Sequence, residues 1–451
     1  MKFECKGLLE SASARSIDYL ANLDARRVSP SQEALHRLAR FSEPLPDGPR
    51  DPAETVARLD DFGSPATVAT AGGRYFGFVT GGVLPVTLAA NWLAGAWDQC
   101  AGLVALSPVA AELEKIALGW LVELFRLPPG TGGGFVTGAT MANFAALAAA
   151  RHSLLEQAGW DVESEGLFGA PPISVLVGDE VHISLLKALG LLGLGRNRVL
   201  RVPVDAQGRM RAGALPRWSG PAILCVQAGN VNSGAFDPAS EIIAAAKQAG
   251  AWVHVDGAFG LWAAAAPARR HLMQGFELAD SWATDAHKWL NVPYDSGIAF
   301  VREPRHLQSA MAVSAGYLQQ GLDREPSQHT PEMSRRARGV EVWAALRTLG
   351  RAGLAELVER TCRLAKRFAD GLRQAGYEIL NEVALNQVLV SFGDDARTQR
   401  VIAAVQEEGT CWCGGTVWHG RAAMRISVSS WATTEEDVEK SLAAMIRMAA
   451  R

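Results

Sequence analysis

The chain has 451 residues, of which 48% are hydrophobic and 20% are charged, and its formal net charge is -3. This length predicts two or three lobes with a sizeable core, and the small net charge excludes the strongly basic surface typical of nucleic-acid-binding proteins. The longest apolar runs are interrupted by glycines and by Lys187. They fall short of the roughly 20 residues that a membrane-spanning helix needs, so we expect no membrane segment.

The first part of the chain predicts a helical arm. Apolar side chains recur at helical spacing before the proline-rich stretch 42–52 interrupts the pattern. A second helical pattern runs from Val109 to Leu124. Beyond it, a glycine-rich loop, the strand-like GFVT and the helical TMANFAALAAAR occur in the order strand, tight turn, helix.

Short apolar segments then alternate with helical ones. Strands are predicted at 173–179, 198–204, 222–229, 251–257, 281–285 and 297–301. This alternation predicts a mostly parallel sheet that helices cover on both faces. Such sheets bind ligands at the carboxyl ends of their strands, which is where we expect the functional site.

The remainder of the chain predicts a smaller α+β lobe. Segment 317–339 is polar and is predicted to be a mobile loop, and a long helix follows from about Val340 to Gly371. Further strand patterns and two helices complete the chain. We therefore predict an N-terminal helical arm (1–70), a large domain (71–335) and a small C-terminal domain (336–451).

The six cysteines lack the spacing of a disulfide framework, and the first residues show no apolar signal-peptide core. Both observations favour a reducing cytoplasm. Cys411 and Cys413 resemble half of a metal site, but no second pair lies near them and their spacing is unusual for zinc. We expect them to be structural, and no metal is predicted.

Two predicted strand ends carry residues suited to binding a ligand. At Gly138-Ala139-Thr140 a strand gives way to a helix, so backbone N–H groups and a hydroxyl point at one spot that suits a phosphate. Asp256 ends an apolar strand, where a buried carboxylate needs a cationic partner. The alternatives are a plain tight turn and a structural helix cap.

Two more chemically active side chains follow strands of the same sheet. His182 comes a few residues after strand 173–179, and a packed structural histidine is the alternative. Lys288 lies in DAHKWLNVPYDSG (285–297), directly after strand 281–285. A lysine amine in partly dry surroundings is a nucleophile that forms Schiff bases, whereas on a surface turn it would only be solvated.

The four signals become specific when they are taken together. They supply a phosphate cradle, a carboxylate for a pyridinium nitrogen, an imidazole that can stack on a ring, and a Schiff-base lysine. These are the groups that pyridoxal phosphate needs.

With these residues the chain resembles the group II pyridoxal-phosphate-dependent amino-acid decarboxylases, a branch of the aspartate aminotransferase fold. The motif DAHKWLNVPYDSG is the most specific element. DGAFG, VQAGNVNSGAFDP, VHISLLKALGLLGLG and SRRARG support it, and the resemblance extends from near residue 72 to near residue 431. It implies an α/β structure of fold type I with a mostly parallel central sheet.

The resemblance also implies roles for individual residues. Lys288 would hold pyridoxal 5'-phosphate as a Schiff base, and His182 would stack on the cofactor ring. Asp256 would pair with the pyridine nitrogen, and Ala258 would pack beneath the ring. The other cofactor-binding residues would be Gly138, Ala139, Thr140, Asp285 and His287 around the phosphate, and Asn230, where animal aromatic decarboxylases carry threonine.

Members of this family are homodimers with active sites at the interface, and an N-terminal helical arm wraps the partner. The resemblance therefore implies a homodimer for this chain, with residues 1–60 in the arm. The cluster Tyr75-Phe76-Gly77-Phe78 matches a segment that lines the substrate pocket in relatives. Phe78 is our pocket candidate, and ordinary core packing is the alternative.

One departure from the family concerns the proton donor. In the aromatic decarboxylases a loop after the lysine carries a tyrosine that protonates the carbanion left by loss of CO2. The corresponding loop, 319–334, has no tyrosine, because Tyr317 lies before its first residue. The aromatic side chain within the loop is that of His329. An imidazole, with an unperturbed pKa of about 6.5, suits general acid work, so we predict His329 as the donor.

The sequence thus predicts decarboxylation of an L-amino acid and favours a substrate with an aromatic or bulky side chain. Three alternatives remain open, namely oxidative deamination to an aldehyde, aminotransfer, and a catalytically silent binding protein. Arg425 lies near where aminotransferases of this fold hold the substrate carboxylate. Because clamping that carboxylate would oppose its loss, we favour a structural role for Arg425.

Overall fold

The computed structural model describes residues 5–313 and 324–451. The α-helices are α1 (Cys5–Ala21), α2 (Gln32–Arg37), α3 (Pro52–Arg58), α4 (Pro85–Trp97), α5 (Pro108–Phe125), α6 (Ala139–Gln157), α7 (Val162–Glu165), α8 (Ile183–Leu191), α9 (Ala239–Gln248), α10 (Pro304–Met311), α11 (Gly339–Gln374), α12 (Asp395–Glu408) and α13 (Glu435–Ala449). Helix α11 is kinked at Gly350, whose φ of 57° is not helical.

Within these two ranges the strands form two sheets. The strands are β1 (Gly132–Val136), β2 (Ser174–Gly178), β3 (Leu200–Val202), β4 (Ala222–Gln227), β5 (Trp252–Asp256), β6 (Ser281–Asp285), β7 (Gly297–Val301), β8 (Glu378–Ile379), β9 (Gln387–Ser391), β10 (Gly414–Trp418) and β11 (Arg421–Ser427). The smaller sheet has the order β10-β11-β9-β8.

The larger sheet has the order β1-β7-β6-β5-β4-β2-β3. Strand β7 runs antiparallel to both of its neighbours, β1 and β6, and the remaining neighbours pair in parallel. Strand β1 therefore runs in the same direction as β6 and β5. The carboxyl ends of these strands meet at one edge of the sheet, which we call the carboxyl edge.

Helix α6 is the core helix of this sheet and packs against β5, β6 and β7. Its sequence, ATMANFAALAAARHSLLEQ, is rich in alanine on every side, and most of these alanines are fully buried. A helix that is apolar all round is a buried helix, and the small side chains let it approach the sheet closely. Helix α6 begins at the carboxyl edge, directly after β1.

The chain forms two compact units. One comprises residues 1–82, 367–380 and 389–451, and the other comprises residues 83–366 and 381–388 and contains the seven-stranded sheet. We refer to them as the first and second units. The division into an arm, a large domain and a small domain stays a prediction. Within the described ranges, no helix is both long and apolar enough to cross a membrane.

The sequence predicted most of the regular structure of the second unit. The six predicted strands from 173 to 301 contain β2 to β7, the strand-like GFVT overlaps β1, and the predicted helix from Val109 to Leu124 corresponds to α5. Helix α4 was not predicted, because its nearly uniform apolar sequence, PVTLAANWLAGAW, shows little periodicity. The arm is not one continuous helix, since a turn separates α1 from α2.

Candidate active site

The predicted site residues lie around the carboxyl edge of the large sheet. Gly138 is the N-cap of α6 after β1, His182 is the N-cap of α8 after β2, Asn230 follows β4, Asp256 ends β5, Asp285 ends β6, and His287 and Lys288 come next. All belong to the second unit. Because these strands run in the same direction, the structure brings the residues to one edge, as predicted.

The turn at the start of α6 forms a small cradle. The Ala139 N–H donates a hydrogen bond of 2.6 Å to Asp285 Oδ1. A Cβ at Gly297 would lie 2.4 Å from the Gly138 Cα, so glycine is needed there, and a Cβ at position 138 would crowd the His287 ring at 3.2 Å. Among the described residues, the Thr140 hydroxyl has no hydrogen-bond partner.

Lys288 is held by a buried carboxylate. Its Nζ atom lies 2.9 Å from Asp285 Oδ2, and the Asp285 side chain is only 3% exposed. The Lys288 side chain itself is 18% exposed, which does not fit the solvated surface turn considered as an alternative. The amine therefore sits at the mouth of the cradle with its charge balanced and with access to a ligand.

His287 lies beside the same carboxylate. Its Nδ1 atom accepts a hydrogen bond of 3.1 Å from the Ser296 N–H, so the ring proton resides on Nε2, which lies 3.6 Å from Asp285 Oδ1. Burial, and to a smaller extent the charge of Lys288, lowers the pKa of His287. The neutral ring presents an N–H donor toward the cradle.

Asp256 is oriented through both of its carboxylate oxygens. Oδ1 accepts the Ala258 N–H at 3.2 Å, and Oδ2 accepts the Asn143 side-chain amide at 3.2 Å. Asp256 is 5% exposed and Asn143 is fully buried. Asn143, on α6, was missed by the sequence analysis, although a polar side chain within an alanine-rich helix was a visible signal.

A chain of buried hydrogen bonds leads to Asp256. The Asn143 Oδ1 atom accepts from His254 Nε2 at 2.8 Å, so the proton of His254 is on Nε2 and its Nδ1 accepts from the Ser281 hydroxyl at 2.9 Å. Ser281 in turn accepts the Trp252 indole N–H at 2.9 Å. Each donor in this chain points toward the carboxylate of Asp256.

Burial keeps this chain neutral. Desolvation lowers the pKa of His254 to about 3, so its ring carries no charge at neutral pH. Because the ring does not take up a proton there, it acts only as a fixed bridge between Ser281 and Asn143. The chain therefore fixes the orientation of the Asp256 carboxylate from behind.

The structure gives two other predicted residues different surroundings. His182 is half-buried, and its Nδ1 accepts the Ser184 backbone N–H at 3.3 Å, which caps α8 and places the ring proton on Nε2. Asn230 is 1% exposed, and its Oδ1 accepts hydrogen bonds from the backbone N–H groups of Asn232 and Ser233. Asn230 thus stabilises its own turn, and its contact with the cofactor stays a prediction.

His329 does not lie at the carboxyl edge. Its backbone oxygen lies 2.5 Å from where a Cβ of Gly134 would stand, which places it beside the middle of β1. The ring is 2% exposed and its Nδ1 bonds the Glu325 carbonyl at 3.2 Å. Burial, with the nearby Arg324, lowers the pKa of His329 to about 3, so the ring is uncharged at neutral pH. This geometry does not support a proton-donor role.

Three other predictions concern residues of the first unit or residues beyond the described ranges. Phe78 belongs to the first unit, where its ring is 64% exposed and stacks on Trp412 at 5.5 Å. Arg425 belongs to the same unit, and burial lowers its pKa. Tyr317 lies outside the described residues, as does part of the loop 319–334. The roles predicted for Phe78 and for the loop stay predictions.

The residues at the carboxyl edge fit pyridoxal 5'-phosphate. The Thr140 hydroxyl, the His287 N–H and the start of α6 suit a phosphate. An oriented buried carboxylate suits a protonated ring nitrogen, and Lys288 supplies the amine. The side chains present therefore match the phosphate, the ring nitrogen and the aldehyde group of the cofactor.

Comparison with known proteins agrees with this geometry. Residues 69–393 match the pyridoxal-dependent decarboxylase conserved domain. The chain is 27% identical to tryptophan decarboxylase 1 of Oryza sativa subsp. japonica, over 94% of this chain and 89% of that protein. It is 31% identical to the aromatic-L-amino-acid decarboxylase of Drosophila lebanonensis, over 78% of this chain and 93% of that protein.

A solved structure is similar to the whole fold. The crystal structure of Oryza sativa TDC with PLP and tryptamine superposes with a TM-score of 0.90 at 23% sequence identity, covering 100% of this chain and 99% of that chain. This similarity confirms the predicted α/β architecture of fold type I.

Proposed function

The chain belongs to the pyridoxal-dependent decarboxylase family and is an amino-acid decarboxylase that uses pyridoxal 5'-phosphate, and from this premise we propose that its substrate is an aromatic L-amino acid. The proposal is supported by relatives named as tryptophan and aromatic-L-amino-acid decarboxylases.

The observation that carries the site assignment is the meeting of Lys288, Asp256 and the cradle at one sheet edge. When bound, the cofactor supplies an electron-withdrawing ring that takes up the electron pair left at Cα as CO2 departs. We assign Lys288 to the covalent attachment of the cofactor. We assign the cradle at Gly138, Ala139 and Thr140, together with His287, to its phosphate.

Two acidic side chains then have separate tasks. Asp256 would keep the proton on the ring nitrogen, since its carboxylate is buried and oriented by Asn143 and by the Ala258 N–H. Asp285 bonds both Lys288 and the Ala139 N–H, so it fixes the amine relative to the cradle. We assign His182, half-buried at the start of α8, to the face of the cofactor ring.

Purified protein tests the assignment of Lys288. We expect the visible absorbance of bound cofactor and the release of CO2 to disappear in Lys288→Ala, because the cofactor then loses its covalent attachment. Lys187→Ala is the matched control, since Lys187 is exposed on α8 and its loss should leave both signals unchanged. Cofactor that is still covalently attached to Lys288→Ala after borohydride reduction would contradict the assignment.

Substrate competition tests the proposed specificity. We expect kcat/KM for tryptophan or another aromatic L-amino acid to exceed that for glutamate by at least about 100-fold, a typical discrimination for a fitted pocket. CO2 release from acidic amino acids alone would overturn the substrate class and leave the decarboxylase activity intact. Aldehyde with hydrogen peroxide, or keto-acid-dependent amino transfer, in place of the amine product would identify the alternative reactions.

We further propose that the enzyme is a homodimer in the cytoplasm. Helix α1 has no buried residue and exposes Leu9 and Ile17, and α4 exposes Trp92, Leu93 and Trp97. Exposed apolar side chains on each of these helices support a protein interface. The six free cysteines support a reducing compartment. Sedimentation velocity of the holoenzyme tests the dimer, and a monomer at micromolar concentration would overturn it.

A further inference from the structure

A second cluster of ligand-type side chains lies at the far end of α6. His152 and Glu156 are one helical turn apart on α6, and His306 projects from α10. One ligand atom from each residue lies within 4.8 Å of the other two. From Ala139 to His152 the helix rises about 20 Å, so this cluster is well separated from the cradle.

The distances within the cluster suit a shared ion better than direct bonds. Glu156 Oε2 lies 3.8 Å from His152 Nε2 and 4.0 Å from His306 Nδ1, which is too long for hydrogen bonds. Zinc bonds of about 2.0–2.2 Å in tetrahedral geometry place donor atoms about 3.4 Å apart. The carboxylate therefore needs to approach each imidazole by only about half an ångström, and the two imidazoles need to approach each other by at most about 1.4 Å.

Both histidines present a bare ring nitrogen to this space. His152 Nδ1 donates to Glu163 Oε2 at 2.7 Å, which leaves the lone pair on Nε2. The His306 side chain is 5% exposed, and its Nδ1 is buried without a hydrogen-bond partner among the described residues. Its Nε2 lies 3.4 Å from the Ser153 hydroxyl and 3.7 Å from the Glu303 carboxylate, and a ring proton on Nε2 would point toward that carboxylate and leave the Nδ1 lone pair open to an ion.

The surroundings of the cluster also fit a cation. A carboxylate that accepts the second N–H of a ligating histidine is a recurring feature of zinc sites, and Glu163 holds that position for His152. Three carboxylates, of Glu156, Glu163 and Glu303, face two guanidinium groups, of Arg151 and Arg305. A cleft of about 180 Å³ borders the cluster on one side, where it is lined by His306, Glu303 and Arg305.

We propose that His152, Glu156 and His306 form a binding site for a divalent transition-metal ion such as zinc, with water in the fourth position. The ion joins the C-terminal half of α6 to α10, and it lies at the end of the core helix opposite the cradle. The donor set of two imidazoles and one carboxylate, rather than carboxylates alone, selects zinc-like ions over magnesium or calcium.

Calorimetric titration of untagged holoenzyme with zinc chloride tests the site. We expect one equivalent to bind, and Glu156→Gln and His306→Gln each to weaken that binding at least 100-fold. Glu163→Gln should weaken it about 10–100-fold, because it removes only the orienting carboxylate. His271→Gln is the matched control, since His271 is exposed elsewhere in the same unit, and it should bind zinc as the wild type does.

Further readouts separate this site from other metal-binding groups. X-ray absorption should show nitrogen and oxygen ligands, the cofactor absorbance should stay unchanged, and zinc should raise the thermal midpoint of the wild type but not of Glu156→Gln. Sulfur ligation, a change in cofactor absorbance, or equal zinc affinity in wild type and both ligand variants would overturn the proposal. Glu156 is half exposed, so Glu156→Gln should fold even if His306→Gln does not.

Discussion

Replacing Asn143 with leucine tests whether the buried hydrogen-bond chain orients Asp256. The substitution nearly preserves side-chain volume but removes the amide that joins His254 Nε2 and Asp256 Oδ2. Both groups are buried, so solvent does not replace the lost partner. We expect the free energy of unfolding to fall by ~2–4 kcal/mol, since each unpaired buried polar group costs ~1–3 kcal/mol.

The effect on catalysis follows from the charge of Asp256. A hydrogen bond to a charged group is worth ~1.5–3 kcal/mol, so loss of the Asn143 bond should lower kcat/KM by ~10–100-fold if it orients the carboxylate in the transition state. The assay is CO2 release, corrected for the folded fraction by circular dichroism. Cofactor affinity, measured by equilibrium dialysis, should weaken in parallel.

Two further variants make this prediction refutable. Thr398→Val removes a buried hydroxyl that accepts the Phe392 N–H in the first unit, so it should lower stability without changing kcat/KM. In an Asp256→Asn background, Asn143→Leu should have little further effect on turnover, because the two residues act as a unit. Full activity in folded Asn143→Leu, or additive losses in the double variant, would show that the chain serves stability alone.

Two other perturbations address His329 and the cradle. Because the pKa of His329 is lowered to about 3, the stability that its neutral ring contributes is present above about pH 6.5 and is lost as the pH falls toward 3. In His329→Gln, the free energy of unfolding should therefore fall less steeply with decreasing pH, by up to about 1.4 kcal/mol per pH unit, as measured by thermal unfolding. The exposed control His271→Gln should leave this pH dependence unchanged. The same His329→Gln variant should keep its turnover. A loss of about 100-fold or more, the typical contribution of one general acid or base, would restore the proton-donor role. Gly138→Ala should weaken cofactor binding about tenfold, because the added methyl group crowds the His287 ring. Gly119→Ala, in open space on α5, is the control; it should leave cofactor binding unchanged and stabilise the helix by up to about 1 kcal/mol. Equal cofactor affinity in both variants would contradict the role of the cradle.

The sequence predicted the site well where chemistry coincides with a strand end. Lys288, Asp256 and Gly138 each follow an apolar segment, and parallel strands bring such positions to one edge whatever the details of packing. The motifs around them added the cofactor. These predictions depend on the order of segments along the chain and on the rule that parallel strands end at the same edge of a sheet. Neither requires knowledge of side-chain contacts.

The sequence did not predict the residues that act from behind the site. Asn143 lies within an alanine-rich helix and His254 within an apolar strand, and their connection depends on the contact between α6 and β5. One signal was available, because His254 and Asp256 are two residues apart and so share a face of β5. His329 shows the converse case, since its polar neighbours suggested a loop while the fold buries the ring beside β1.

The reversed strand β7 has a consequence for how the enzyme matures. Lys288 lies in the connection between β6 and β7, which is closed at its base by the Ala286 N–H donating to the Ser296 carbonyl at 3.0 Å. Strand β7 inserts between β6 and β1, and β1 is separated from it by more than half of the second unit's sequence. Strands so far apart in sequence pair slowly, because the chain loses the entropy of closing the long loop before the contacts between the strands can stabilise the pair. Covalent capture of the cofactor should therefore be a late event in folding, and the colour of the holoenzyme reports completion of the sheet.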